Sequence, residues 1–279
     1  MDQVNILAWE GRSEEAVGAI AGGTAAQMHA TLGNPREAAP VDGDVLPPLW
    51  HWCAFPPVSP MSELGRDGHP LTGDFMPPLR LQRRMWAGGH LRFHGPARVG
   101  ERLQRRSQVA AIEPKSEDMV LVRVDHSIHG ERGLIAEERQ DIVYLPIPER
   151  FTPPRKRPVF SKPILTQHHR MSEALLFRFS ALTFNAHRIH YDLAYAQQVE
   201  AYPALVVHGP LQAMLLMQAA CESRGTPPVE FSFRAVHPAF VTGALEVRAE
   251  EDEDGVLHLC SGQDGHQCMQ ATAIWQGVL

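Results

Sequence analysis

No run in these 279 residues approaches the roughly 18 consecutive apolar residues that a membrane-crossing helix needs. The opening Met1-Asp2-Gln3-Val4-Asn5 shows neither the basic patch nor the apolar stretch of a leader peptide. Cysteine is scarce, and Cys53, Cys221, Cys260 and Cys268 make no CxxC pair and no disulfide-framework spacing. The expected setting is therefore reducing and cytoplasmic, with no membrane partner. Lysine is nearly missing: Lys115, Lys156 and Lys162 are the only three among 26 basic residues, so 23 are arginines. The net charge of −6 excludes a general nucleic-acid binder, whose footprint would be strongly basic. The arginine excess reflects either genomic base composition or recognition of phosphate and carboxylate, which the planar guanidinium does better than lysine.

What is present is an apolar share of 44% and a charged share of 21%, in a chain long enough for two fused domains. Six prolines (Pro146, Pro148, Pro153, Pro154, Pro158, Pro163) gather in a segment that also holds Arg150, Arg155, Lys156 and Arg157. Such a segment suits neither a central strand nor a helix interior, so residues 146–163 read as a linker between halves 1–145 and 164–279. The halves resemble one another. Pro96, Val99 and Leu103 recur as Pro238, Val241 and Leu245, each 142 positions on. After each copy come three β-rich runs separated by turn-formers, at 101–112, 119–129 and 134–145, then at 244–250, 256–261 and 268–276. Upstream of each meander stands an apolar helix candidate. In the second half it is 209–221, apolar almost all round and opened by Gly209-Pro210; in the first it is 47–55, with Pro48 near its start. A further helix is expected over 13–32, capped by Ser13 with Glu14 and Glu15 in its first turn. A helix with no polar face must be buried, and a sheet curled around it does so economically. Two such units predict an α+β double hot-dog fold.

The chemistry concentrates in 179–192, where Asn185, His187, Arg188 and His190 follow one another closely, and in His208-Gly209-Pro210. Residues 185–192 with His208-Gly209 resemble the hydratase motif of the MaoC-like, R-specific enoyl-thioester hydratase family. Together with Arg84-Met85-Trp86-Ala87-Gly88-Gly89 they are similar to the branch that includes 3-methylfumaryl-CoA hydratases and mitochondrial-type 3-hydroxyacyl-thioester dehydratases. The resemblance implies a hydro-lyase acting on an acyl-CoA thioester, with no cofactor beyond the coenzyme A of the substrate, and a homodimer by analogy with other hot-dog proteins. In the family an aspartate, with a histidine five positions later, holds the catalytic water. The histidine falls on His190 and the aspartate on Asn185, an amide that cannot take a proton at neutral pH. That leaves His190 as base, Asn185 as water-positioner and His187 as reserve titratable partner. Negative charge on the thioester oxygen calls for donors, which the Gly209 N–H at a helix N-terminus supplies.

Substrate contacts are expected from Arg188 to a distal carboxylate, from His187 and His208, and from Arg83, Arg84 and Trp86 in a first half that has no counterpart of the motif at 30–45. No carboxylate or cysteine stands near His187 and His190 at metal-ligand spacing, so no metal is expected. Each assignment has a structural alternative: a surface Arg188, a helix-mouth His208, a packed Trp86 beside ordinary arginines. A carrier-protein dehydratase, a thioesterase and a non-catalytic acyl-CoA binder are the competing functions, since a fold alone does not decide among them.

Overall fold

A computed structural model describes residues 5–33 and 37–276. Met1 to Val4 and part of the 30–45 stretch lie outside the described residues. In chain order the elements are β1 (Ser13–Gly18), α1 (Gly22–Leu32), β2 (Arg83–Phe93), β3 (Leu103–Ser116), β4 (Met119–Gly130) and β5 (Gly133–Leu145). There follow β6 (Leu165–His169), α2 (Glu173–Leu182), α3 (Leu193–Gln198), α4 (Gly209–Arg224), β7 (Glu230–Ala235), β8 (Leu245–Glu251), β9 (Leu257–Gln263) and β10 (His266–Ile274). Among the described residues no helix is long and apolar enough to cross a membrane.

Among the described residues all ten strands join one sheet in the order β1-β3-β4-β5-β2-β7-β10-β9-β8-β6. The halves meet where β2 pairs antiparallel with β7, from Gly88↔Arg234 to Arg92↔Glu230. The repeat is visible in position: Leu103 and Leu245, equivalent in sequence, each begin a strand and are wholly buried.

Among the described residues α4 is the longest helix, and it lies in the core. Proline in its first turn costs no hydrogen bond, because the first N–H groups of a helix have no intrahelical partner. Gly225 ends it in the left-handed conformation at φ 69°. Leu211, Ala213, Leu216, Ala219 and Ala220 are wholly buried, and the helix packs against β7 to β10.

Two expected helices differ. Residues 13–18 form β1, paired with β3 from Ser13↔Gln108 to Gly18↔Leu103, so sheet pairing overrides the local cap signal. The helix starts only at Gly22. Over 47–55 there is a single 3-10 turn, Trp50–Ala54. Leu49 before it has φ 71°, a left-handed conformation that cannot enter a helix, and Pro56-Pro57 close it. The first half therefore lacks a counterpart to the full length of α4, and its sheet is not filled in the same way.

Leu216→Ala should destabilise the chain by about 2–5 kcal/mol, the range for truncating a fully buried leucine. A lower urea midpoint at unchanged m-value is the expected readout.

Candidate active site

The 185–192 segment is set by the end of α2. Ser172 caps that helix by accepting the Leu175 N–H at 3.2 Å. Beyond its last residue Phe184 adopts φ 50° and turns the chain sharply, and the Asn185 N–H returns to the Ser180 carbonyl at 2.8 Å. The Asn185 side-chain oxygen accepts the His187 N–H at 2.9 Å, an Asx-type turn that fixes the amide. A 3-10 turn, Arg188–His190, carries the imidazole inward, and Asp192 caps α3 by accepting the Tyr195 N–H at 3.0 Å.

His190 Nδ1 lies 2.7 Å from the Val206 carbonyl. A carbonyl only accepts, so Nδ1 carries the proton and Nε2 keeps a lone pair. The His190 ring stacks on His208 at 3.6 Å between centroids, and His208 is the residue that caps α4. The motif imidazole and the α4 N-terminus thus adjoin. His208 is wholly buried, with Nε2 at 2.8 Å from Ser180 Oγ and Nδ1 without a partner among the described residues. It is packed against Ser180 and His190 and does not line the cavity described below. Burial, and then the neighbouring His208 and His187, hold His190 well below the usual imidazole range. Burial pushes His208 down to about 3. Both rings are therefore neutral at pH 7.

A cavity of about 930 Å³ opens beside this segment, in the space that the short turn at 50–54 leaves in the first half. Alternate residues of one sheet face line it, Glu138, Gln140 and Ile142 from β5 with Arg84 and Trp86 from β2, as the two-residue period of strands requires. From the second half come Phe179, Thr183, Asn185 and Pro210. The cavity thus has the motif amide and Pro210 of α4 on one wall and the first-half sheet on the other; His190 and Gly209 adjoin that wall in sequence and are not among its lining residues.

The expected substrate contacts separate into two groups. Trp86 lines the cavity, its indole N–H donating to the Gly88 carbonyl at 2.9 Å while its ring packs on Trp52 at 4.8 Å. Arg84 also lines it and has no carboxylate partner among the described residues. Arg83 points elsewhere: its Nε lies 3.4 Å from Glu200 and its guanidinium sits over the Tyr202 ring at 4.5 Å. His187 shares that carboxylate at 3.3 Å, so Glu200 holds two of the expected contacts in a buried structural pair. Arg188 is corrected as well. It is bound to Asp192 at 2.7 Å, donates to the Arg66 carbonyl at 3.2 Å and covers the Tyr195 ring at 4.3 Å, and it does not line the cavity.

Sequence reasoning missed Asp67 and His69. His69 Nδ1 lies 2.7 Å from Asp67 Oδ2, the His69 N–H donates to Asp67 Oδ1 at 3.0 Å, and the ring stands 4.1 Å from His187. The carboxylate that the motif lacks by spacing is thus brought in from the first half. Their loop is fastened to the motif, since the Arg188 N–H donates to the Asp67 carbonyl at 2.9 Å. Between them Gly68, at φ 89°, leaves no room for a β-carbon, which would overlap the Ala186 carbonyl. The local signal was an Asp-Gly turn followed by His-Pro, readable as a turn but not as a site. Burial pushes His69 down to about 3; Asp67 is held at about 2 because its bonds to His69 outweigh the upward push of burial.

A family model for hydroxyacyl-thioester dehydratase type 2 matches residues 49–241. The chain is 42% identical over 279 residues to the mesaconyl-C(4)-CoA hydratase of Chloroflexus aurantiacus, with 98% of each chain covered. Among solved structures it is similar to a MaoC-like dehydratase from Phytophthora capsici, at TM-score 0.76 and 13% identity over 99% of each chain. A Mycobacterium tuberculosis protein described as a double hotdog fold matches at TM-score 0.57 and 14% identity over 95% of each chain. At such identities the solved structures speak to the fold alone, and the fold is the double hot dog expected from the two repeats.

His69 and His208 have folded pKa values near 3, below the unfolded imidazole value of about 6.5. The unfolded chain then binds more protons, so their contribution is fully present above about pH 6.5 and is lost progressively as pH falls toward 3. Thermal melts between about pH 7 and 4 should show a falling Tm, and His208→Gln should make that fall shallower.

Proposed function

The chain belongs to the hydroxyacyl-thioester dehydratase type 2 family, and from that premise we propose that its substrate is a short, branched dicarboxylic acyl-CoA of the mesaconyl or itaconyl kind. The chain is an acyl-CoA hydratase/dehydratase, a hydro-lyase. The observation that carries the finer reading is the meeting, on one cavity, of Asn185, the α4 N-terminus at Pro210 and Arg84, a guanidinium with no carboxylate partner among the described residues.

Water adds across a double bond conjugated to a thioester. As oxygen bonds to the β-carbon, charge builds on the thioester oxygen and a proton leaves the water. The free N–H groups at the start of α4, Gly209 first because Pro210 has none, face the charge with the positive end of a helix. Losing such a donor costs on the order of 3 kcal/mol in comparable sites. Asn185, fixed by its bond to the His187 N–H, offers its remaining polar capacity to the water. His190 Nε2 accepts one O–H of that water and sets the direction of attack. With Nδ1 tied to Val206, its ring cannot turn without breaking a buried hydrogen bond.

Arg84, which lines the cavity, rather than Arg188, which is paired with Asp192, reads a carboxylate on the acyl chain. Trp52 and Trp86 line the same wall, packed edge to face on each other and on Phe233, and give it an apolar surface for the acyl chain. The reading needs no cofactor beyond the coenzyme A moiety of the substrate, and it takes the unpaired thiols as belonging to a reducing compartment and the functional unit as a homodimer.

His190→Ala should lower kcat by about 10²–10³ with the fold retained, the range for removing a positioned acid–base or orienting group. Near-normal turnover would take His190 out of the site. Arg84→Gln should raise KM for mesaconyl-C4-CoA at least about tenfold, as loss of a charge-assisted hydrogen bond implies, and spare crotonyl-CoA. Equal losses on both would remove Arg84 as a carboxylate reader. The same assays with carrier-protein thioesters would show whether coenzyme A itself is recognised.

A further inference from the structure

The motif brings imidazoles and an amide, and its one carboxylate, Asp192, is bound to Arg188 and to the Tyr195 N–H, so one task of the reaction is left over. In hydration the proton that leaves the water must arrive at the α-carbon; in dehydration it makes the opposite journey. A neutral imidazole can carry it, but the imidazolium formed on the way needs an anion beside it. His190 has none: its ring faces His208 at 3.6 Å and His187 at 5.4 Å, and its Nδ1 is on a carbonyl. His187 has Glu200, but that carboxylate also faces Arg83, and His187 does not line the cavity.

His69 differs on each count. It lines the cavity together with Asn185. Its Nδ1 is bonded to a carboxylate at 2.7 Å, which fixes the tautomer and leaves Nε2 free, with no partner among the described residues. Both Asp67 oxygens bond to His69, one to the ring and one to the backbone, so the pair moves as a unit. The loop is locked to the motif at Asp67 and at Gly68. The second imidazole–carboxylate pair on this cavity, His51 with Glu138 at 3.1 Å, is already committed. His51 spends Nε2 on the carboxylate, which also takes hydrogen bonds from Trp52 at 3.0 Å and Gln140 at 2.7 Å.

We propose that His69, backed by Asp67, is the proton carrier of this active site and supplies the acid–base function that an amide at position 185 cannot. The proposal rests on the hydratase reading above. As the water oxygen bonds to the β-carbon, one O–H bond breaks and its proton goes to His69 Nε2. The electron pair of the C=C bond moves into the thioester, giving an enolate held at the start of α4. The enolate then takes that proton at the α-carbon, and His69 returns to neutral. The second O–H, held by His190, stays in the product as the hydroxyl. Water is the only reactant consumed besides the enoyl thioester. The groups around His69 suit a base that is free at rest: burial, His187 and Arg84 oppose its protonation, while Asp67 favours it once the proton arrives.

The test uses the full chain with mesaconyl-C4-CoA and crotonyl-CoA. His69→Gln should lower kcat at least about 100-fold with KM within about threefold, and should abolish exchange of the product's α-proton with deuterated solvent. Asp67→Asn should give an intermediate loss. Adding Asn185→Asp to His69→Gln should restore at least about tenfold of the lost activity, with a new pH dependence in the carboxylate range. Circular dichroism and thermal melts establish folding, and if His69→Gln does not fold, Asp67→Asn, alone and combined with Asn185→Asp, carries the same comparison. Turnover within threefold of the parent, a loss confined to KM, or no recovery with Asn185→Asp would overturn the carrier. A parent chain that hydrates neither ester would sink the hydratase reading and the carrier with it; an active parent with an unaffected His69→Gln sinks the carrier alone.

Discussion

One constraint governs the molecule: among the described residues ten strands form a single sheet, but only one long apolar helix is available to fill its two halves. Where α4 lies, the interior is closed by Leu211, Leu216 and their neighbours. Where the equivalent helix is cut to a 3-10 turn, the sheet face is left to line a cavity. Burial of one helix stabilises the fold, and shortening of the other makes room for a ligand. The start of α4 stands at the border between these two regions, so the strongest fixed dipole of the core faces the open space.

The fold was legible because its signals are periodic and local. The paired meanders were marked by β-rich runs and turn-formers, and α4 by the stretch 209–221, apolar almost all round with Gly-Pro at its head. β1 was not legible, because Ser13, Glu14 and Glu15 imitate a helix start while the strand exists only through its partner β3, ninety residues later by sequence. The turn at 50–54 was misread because nothing in a leucine announces a positive φ.

The candidate site was legible in the same proportion. Asn185, His190 and Gly209 sit in contiguous motifs, and the structure brings His190 against the cap of α4. Arg188 and Arg83 were read as ligands from their charge, but each lies within reach of a carboxylate, Asp192 and Glu200, that a sequence does not aim. Asp67 and His69 were invisible for the opposite reason. They lie about 120 residues before the motif, in a loop with no regular structure, and their chemistry appears only when that loop is pressed against Ala186.

That pressed loop also bears on ancestry. A pair of identical single-repeat subunits would place the same loop and the same motif on both protomers and build two equal sites. Here a loop from the first repeat docks on a motif present only in the second, at a glycine with no space for a β-carbon. Linking the repeats in one polypeptide lets the two copies drift independently, one toward chemistry and the other toward shaping and equipping the chamber. Fusion permits such an asymmetry, and dividing the chain between its repeats would part the loop at 67–69 from the segment on which it docks.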